Sequence, residues 1–178
     1  MTTALRWIET TGGPHLLIAE ELLAYWRGID GWRNYRDPTD RSDYSRACRI
    51  TTWLGPIACH DGTALVLSGD VGPIAWTPNP SESGGYLLQW LGVDDESLIE
   101  AILQSDETAN LLNMPDAEEL NFTTGSSGKL RLIDASEAGN NLRDATEVLA
   151  LRPGNYRIRA AYVNKPNVMI VVRQISSI

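Results

Sequence analysis

Apolar and polar positions change their period several times along the 178-residue chain, and each change marks a predicted element. Arg6 to Glu9 alternates over a few residues and stops at Thr11-Gly12-Gly13-Pro14. His15 to Ala19 is a short, nearly continuous apolar run, and both stretches predict strands. Glu20 and Glu21 open a short helix with Leu22, Leu23 and Trp26 on its apolar face and Gly28 as its stop. Asp30 to Asp43 is polar and rich in Arg and Asp, which predicts a loop, and Tyr44 to Ile50 fits one or two helical turns.

Pro56 to Cys59 and Thr63 to Leu67 flank His60-Asp61-Gly62, a hairpin signature in which Asp-Gly is expected to supply the positive φ. Pro73 to Thr77 and Gly85 to Gly92 continue the β pattern on either side of the turn-rich Pro78 to Gly84. The period then becomes helical. Asp95 is placed to cap a helix whose face carries Leu98, Ile99, Ile102 and Leu103, with Glu96 and Glu100 where the helix dipole favours them. That apolar stripe should pack on the sheet. Glu119 to Thr123 and Lys129 to Ala135 alternate by two and read as a hairpin closed by Thr124 to Gly128. Glu137 to Leu149 stays open: Leu142, Ala145, Val148 and Leu149 allow a helix, but Gly139-Asn140-Asn141 oppose an early start. Tyr156 to Val163 and Val168 to Ile175 predict a last hairpin around Asn164 to Asn167, with Arg157 and Arg159 sharing an exposed face. The sum is one α+β domain over residues 1–178, mainly antiparallel sheet with two or three short helices packed on it.

Composition narrows the function classes. With 43 % hydrophobic residues and two cysteines, Cys48 and Cys59, the chain needs no disulfide framework and points to a reducing compartment. The N-terminal stretch has no apolar run of signal-peptide length, and no segment approaches a membrane span, so a cytoplasmic protein is expected. The net charge of -8 is unevenly placed: residues 1–60 balance, 61–120 carry twelve acids and no base, and 121–178 are net +4. An acidic block of this kind lacks the Lys and Arg that neutralise phosphates, which excludes it as a nucleic-acid surface. It either forms a solvated face or steers a basic partner.

Chemistry finds little support. Only His15 and His60 can act as imidazole bases, and Cys59 and His60, adjacent in a strand, point to opposite faces. Cys48, Cys59 and His60 match no zinc spacing, and Asp94-Asp95-Glu96 lacks the alternation and central glycine of a calcium loop. Gly125 to Lys129 misses both the first glycine and the Ser/Thr of a phosphate loop. No cofactor is expected. All six tryptophans lie in the first ninety residues. Trp7, Trp26 and Trp90 sit among apolar neighbours and read as core, whereas Trp32 and Tyr35 stand between arginines and read as an exposed contact.

Several segments together resemble a known family. Trp7-Ile8-Glu9-Thr10-Thr11-Gly12-Gly13-Pro14, Glu21-Leu22-Leu23, and Trp26-Arg27-Gly28-Ile29-Asp30-Gly31 are similar to the start of the immunity protein 21 family of bacterial polymorphic toxin systems. Asp43-Tyr44-Ser45-Arg46-Ala47-Cys48, Asp61 to Leu67, and Pro153-Gly154-Asn155-Tyr156-Arg157-Ile158 fit its later elements. The resemblance implies a non-catalytic antidote that binds a cognate protein toxin, a basic nuclease being the type that suits the acidic block, without nucleic acid or membrane and as a monomer or weak dimer. The motif residues are then expected to preserve the fold. Contacts fall to Asp94, Asp95, Glu96, Glu100, Asp106 and Glu107, with Trp32 and Tyr35 as a second patch. Two other readings compete: a small hydrolase built on Cys59, His60 and Asp61, and an adaptor of a secretion system.

Overall fold

The computed structural model describes residues 5–34, 36–37, 39–79, 83–143 and 146–178. In chain order the strands are β1 (Trp7–Ile8), β2 (His15–Ala19), β3 (Leu54–Cys59), β4 (Gly62–Leu67), β5 (Ile74–Pro78), β6 (Gly84–Val93), β7 (Glu118–Thr123), β8 (Lys129–Asp134), β9 (Glu147–Ala150), β10 (Asn155–Lys165) and β11 (Val168–Ser177). The helices are α1 (Asp43–Cys48), α2 (Ser97–Leu103) and α3 (Asp106–Leu112), with a 3-10 helix at Glu20–Tyr25. Strands form two antiparallel sheets, one ordered β1-β5-β6-β11-β10-β7 and the other β3-β4-β2-β8-β9.

Burial explains why the central strands are apolar on both sides. In β2 all five residues are buried: Leu17 and Ala19 face the other sheet, while Leu16 and Ile18 face an outer layer. The two sheets share a core of Leu65, Leu67, Leu87, Leu130, Leu132, Ile158 and Val171, among others. Beyond the five-stranded sheet, Trp26, Ala47 and Tyr44 cover Ile57, Val66 and Ile133. Beyond the six-stranded sheet, Ile99 and Ile102 of α2 and Leu112 of α3 cover Leu88, Ile170 and Val172. Each side chain of this size contributes about 1.5–3 kcal/mol when fully buried. The result is four layers, with α1 and its loops on one outside and α2–α3 on the other.

The motif-bearing segments interlock in the α1 layer. Trp26 is buried and donates from Nε1 to the carbonyl of Ala135 at 3.0 Å. Gly28 takes φ +55, and a Cβ there would lie 2.3 Å from the Ser136 carbonyl oxygen. Its own carbonyl accepts the Tyr44 N–H, Asp43 accepts the Arg27 N–H at 2.9 Å, and Arg46 bridges Asp43 and the carbonyl of Ala58. Tyr44 in turn packs so closely on Gly13 that a Cβ would meet its hydroxyl at 2.5 Å. Tyr156, in the Pro153 segment, uses its hydroxyl to accept the Arg152 N–H and bond Ser83.

Three expectations need correction. Residues 119–123 and 129–135 do not form a hairpin: β7 pairs with β10 and β8 with β2 and β9, so the chain crosses from one sheet to the other. Glu21 holds the connecting loop open by accepting from Ser126 Oγ and the Ser127 N–H, and Leu120 and Leu130 then meet the shared core from opposite sides. In the β3–β4 hairpin the positive φ belongs to His60, at 53°, and not to Gly62. The predicted helix from Glu20 is a 3-10 helix that ends at Tyr25, with Trp26 already extended. The open stretch resolves in favour of a strand, β9, with Leu149 buried, and Ala145 lies outside the described residues. Helix α3 was not predicted, because its seven residues carry no apolar stripe long enough to register.

Candidate partner-binding surface

The six acidic residues expected to meet a partner gather on the α2–α3 layer, and all are exposed. The expected cap is displaced: the residue before α2 is Glu96, without a side-chain cap bond, while Asp95 accepts the Ser97 N–H at 2.9 Å, which holds the Asp95 carboxyl below its ordinary range. Ser105 caps α3 by accepting the Thr108 N–H. Ile99, Ile102 and Leu112 are buried below the helices while the six acids are exposed. Four of the six have partners within the chain: Asp95 and Glu100 accept from Ser97 and Gln104, Glu96 accepts from Trp7 Nε1 at 2.6 Å, and Glu107 pairs with Lys165 at 2.6 Å. Asp94, Asp95, Glu100 and Asp106 face no Lys or Arg within 4.0 Å among the described residues, which keeps their field directed at solvent.

Trp32 lies on the opposite outer layer. It is 42 % exposed and meets Tyr44 edge-on at 6.0 Å, beside a polar cavity of about 350 Å³ lined by Arg27, Asp30, Arg33, Asp40, Arg41 and Asp43, among others. Tyr35 falls outside the described residues. Asp40 organises the loop: one carboxylate accepts the N–H groups of Arg33, Asn34 and Ser42, and these bonds, the Arg33 N–H foremost, pull its pKa far down. Sequence reading missed Asp40, although Asp37-Pro38-Thr39 and Asp40-Arg41-Ser42 both carry the spacing of a side chain that bonds two residues ahead.

Cys59, His60 and Asp61 are not brought into a reacting arrangement. The Cys59 thiol is buried and points to the carbonyl of Leu22, and burial raises its pKa, which suppresses the thiolate. His60 projects from the turn and stacks on Tyr25 with ring centroids 3.7 Å apart. His15 is buried, its Nε2 lies 2.8 Å from the carbonyl oxygen of Ile8, and burial lowers its pKa to about 4. Among the described residues no group of three or more His, Cys, Asp or Glu is placed to hold a metal ion, and no helix is long and apolar enough to cross a membrane.

Sequence reading also missed a groove of about 230 Å³ next to the acidic layer. Trp53 and Tyr162, which stack with ring centroids 5.9 Å apart, line it together with Leu111, Met114, Asp116 and Glu118, among others. It depends on α3 and on the α3–β7 connection, neither of which leaves a periodic signal.

Compared with known proteins, residues 6–168 match the model of a family described as Immunity protein 21. No curated protein and no solved structure matches the chain.

Proposed function

The chain belongs to the immunity protein 21 family, and on that premise we propose that it binds a cognate bacterial toxin in the cytoplasm of the producing cell and neutralises it without catalysis. The acidic α2–α3 layer carries this reading. Nine acids and no base occur from Asp94 to Glu119, and six of them, Asp94 to Glu107, are exposed on or next to α2 and α3. A field of that sign speeds encounter with a basic protein and rejects acidic ones, and a basic nuclease is the toxin that fits it. The protein acts as a monomer or weak dimer, with Asp94, Asp95, Glu100 and Asp106 as the first contacts and Glu96 and Glu107 tied into the scaffold behind them. The Trp32 loop, on the opposite layer, is the second patch. One flat partner cannot cover both.

The test is co-expression of the chain with the toxin domain encoded by the neighbouring gene, together with a binding measurement on the purified pair. Protection and a stable complex are expected, and a quadruple variant with Asp94, Asp95, Glu100 and Asp106 changed to Asn or Gln should bind more slowly. A chain that neither protects nor binds ends the reading. Protection lost on Trp32→Ala but kept by the quadruple variant moves the contact to the other layer.

A further inference from the structure

Resting on toxin binding as just proposed, we infer that the groove beside α3 receives a long cationic side chain of the toxin, arginine before lysine. Trp53, Tyr162, Leu111 and Met114 line it together with the carboxylate residues Asp116, which is exposed, and Glu118, and no Lys or Arg is in the lining. Tyr162 and Met114 are 40 % and 47 % exposed, so the apolar surface is open to a partner. An apolar segment would desolvate two carboxylates without replacing their water, and an acidic one would be repelled. A guanidinium on a methylene stem satisfies both features: the stem and planar head lie against the exposed Tyr162 ring and Met114, and the charge meets Asp116.

The aromatic wall is preformed. The Trp53 carbonyl accepts from Nε and Nη2 of the buried Arg173, both at 3.1 Å, and the next N–H, of Leu54, donates to Glu118 at 2.8 Å. A Cβ on Gly69 would meet the Trp53 ring at 2.1 Å, so glycine there backs the ring while Tyr162 stacks on it. Little freedom remains to be lost on binding. Glu118 has one oxygen occupied by Leu54 and the charge of Arg173 nearby, which leaves Asp116 as the main anchor. Asp106 and Glu107 open α3, and Leu111 and Met114 of the groove lie at its other end, so the acids and the groove belong to the same element.

The experiment measures the affinity of the same toxin domain for the wild-type chain, Tyr162→Ala, Asp116→Asn and Asp61→Asn. Asp61 is exposed at the far end of β3 from Trp53 and supplies the same charge change away from the groove. Expected are a loss of about thirtyfold for Tyr162→Ala and about tenfold for Asp116→Asn, with Asp61→Asn within about twofold of wild type. Thermal melts check that the two groove variants fold. Arg→Ala and Lys→Ala changes across the toxin should find one basic residue whose loss is not additive with Asp116→Asn. If the wild type binds and both groove variants bind equally well, the inference is wrong and toxin binding stands. If only Tyr162→Ala matters, the occupant is apolar and the cation is wrong. If the wild type does not bind, the parent reading fails with it.

Discussion

Acid should weaken this fold through a single buried histidine. His15 is 1 % exposed, and because the Ile8 carbonyl can only accept, Nε2 carries the proton of a neutral ring. Burial, foremost, and the charge of Arg173 disfavour the imidazolium and lower the folded pKa from 6.5 to about 4, against the opposing pull of the Ile8 bond and Asp134. Between those two values the unfolded chain binds a proton that the folded chain refuses, so stability rises with pH across the window and falls as pH drops from about 6.5 toward 4. The slope is about 1.4 kcal/mol per pH unit, giving a loss of about 2–3 kcal/mol by the lower end, a large share of an ordinary domain's stability. Glu137 works in the other direction, since burial raises its pKa and favours the folded state in acid. Glu21 acts lower, its carboxyl being held near 2 mainly by the Ser127 N–H, and it is too exposed to contribute much. The assay is urea unfolding followed by tryptophan fluorescence at intervals from pH 7.5 to 4.5, on wild type and on His15→Gln, which keeps a donor for Ile8 but does not titrate. The wild-type free energy should fall while that of the variant stays nearly level. Equal slopes in the two proteins would refute the assignment.

Gly28→Ala should lower the melting temperature markedly, by an amount equivalent to at least about 2 kcal/mol, since φ +55 disfavours a side chain and backbone atoms of Ser136 and Glu137 block it. Arg173→Ala should cost about 3 kcal/mol in urea unfolding, because it leaves the carbonyls of Trp53 and Ser68 and the Gln89 side-chain oxygen without their donor. Toxin affinity should fall steeply as salt is added, with the change in the association rate, since exposed charges are screened beyond about 8 Å at physiological ionic strength. A flat salt series measured by stopped flow would separate the acidic layer from the contact.

Elements whose burial follows a regular period were readable in the chain. The β10–β11 ribbon, the β3–β4 hairpin and α2 all show it, and all form close to the expected residues. The division into two sheets was not readable. Leu120 and Leu130 alternate as hairpin partners would, yet β7 pairs with β10 and β8 with β2 and β9, partners that lie far away in sequence. The acids from Asp94 to Glu107 were legible as a charge run, and they are exposed on or next to α2 and α3. The groove was not, because Trp53, Met114 and Tyr162 are far apart in sequence and each alone looks like an ordinary apolar residue.

The layering also separates what holds the fold from what can meet a partner. The Trp26-Arg27-Gly28 and Asp43-Tyr44-Ser45-Arg46 segments lock to each other over one face of the five-stranded sheet through backbone and carboxylate bonds that tolerate little change. The acids of α2 and α3 stand across both sheets from that lock, with the apolar side of each helix packed below them and Glu96 and Glu107 alone tied to other elements by side-chain bonds among the described residues. Exposed substitutions there alter stability by about half a kcal/mol or less, and sites this far apart with no shared partners act independently. Charge and shape on the α2–α3 layer can therefore be retuned toward a different toxin while the opposite layer keeps the sheets in register. Such a division suits the proposed function, because the residues offered there to a partner are not the residues on which folding depends.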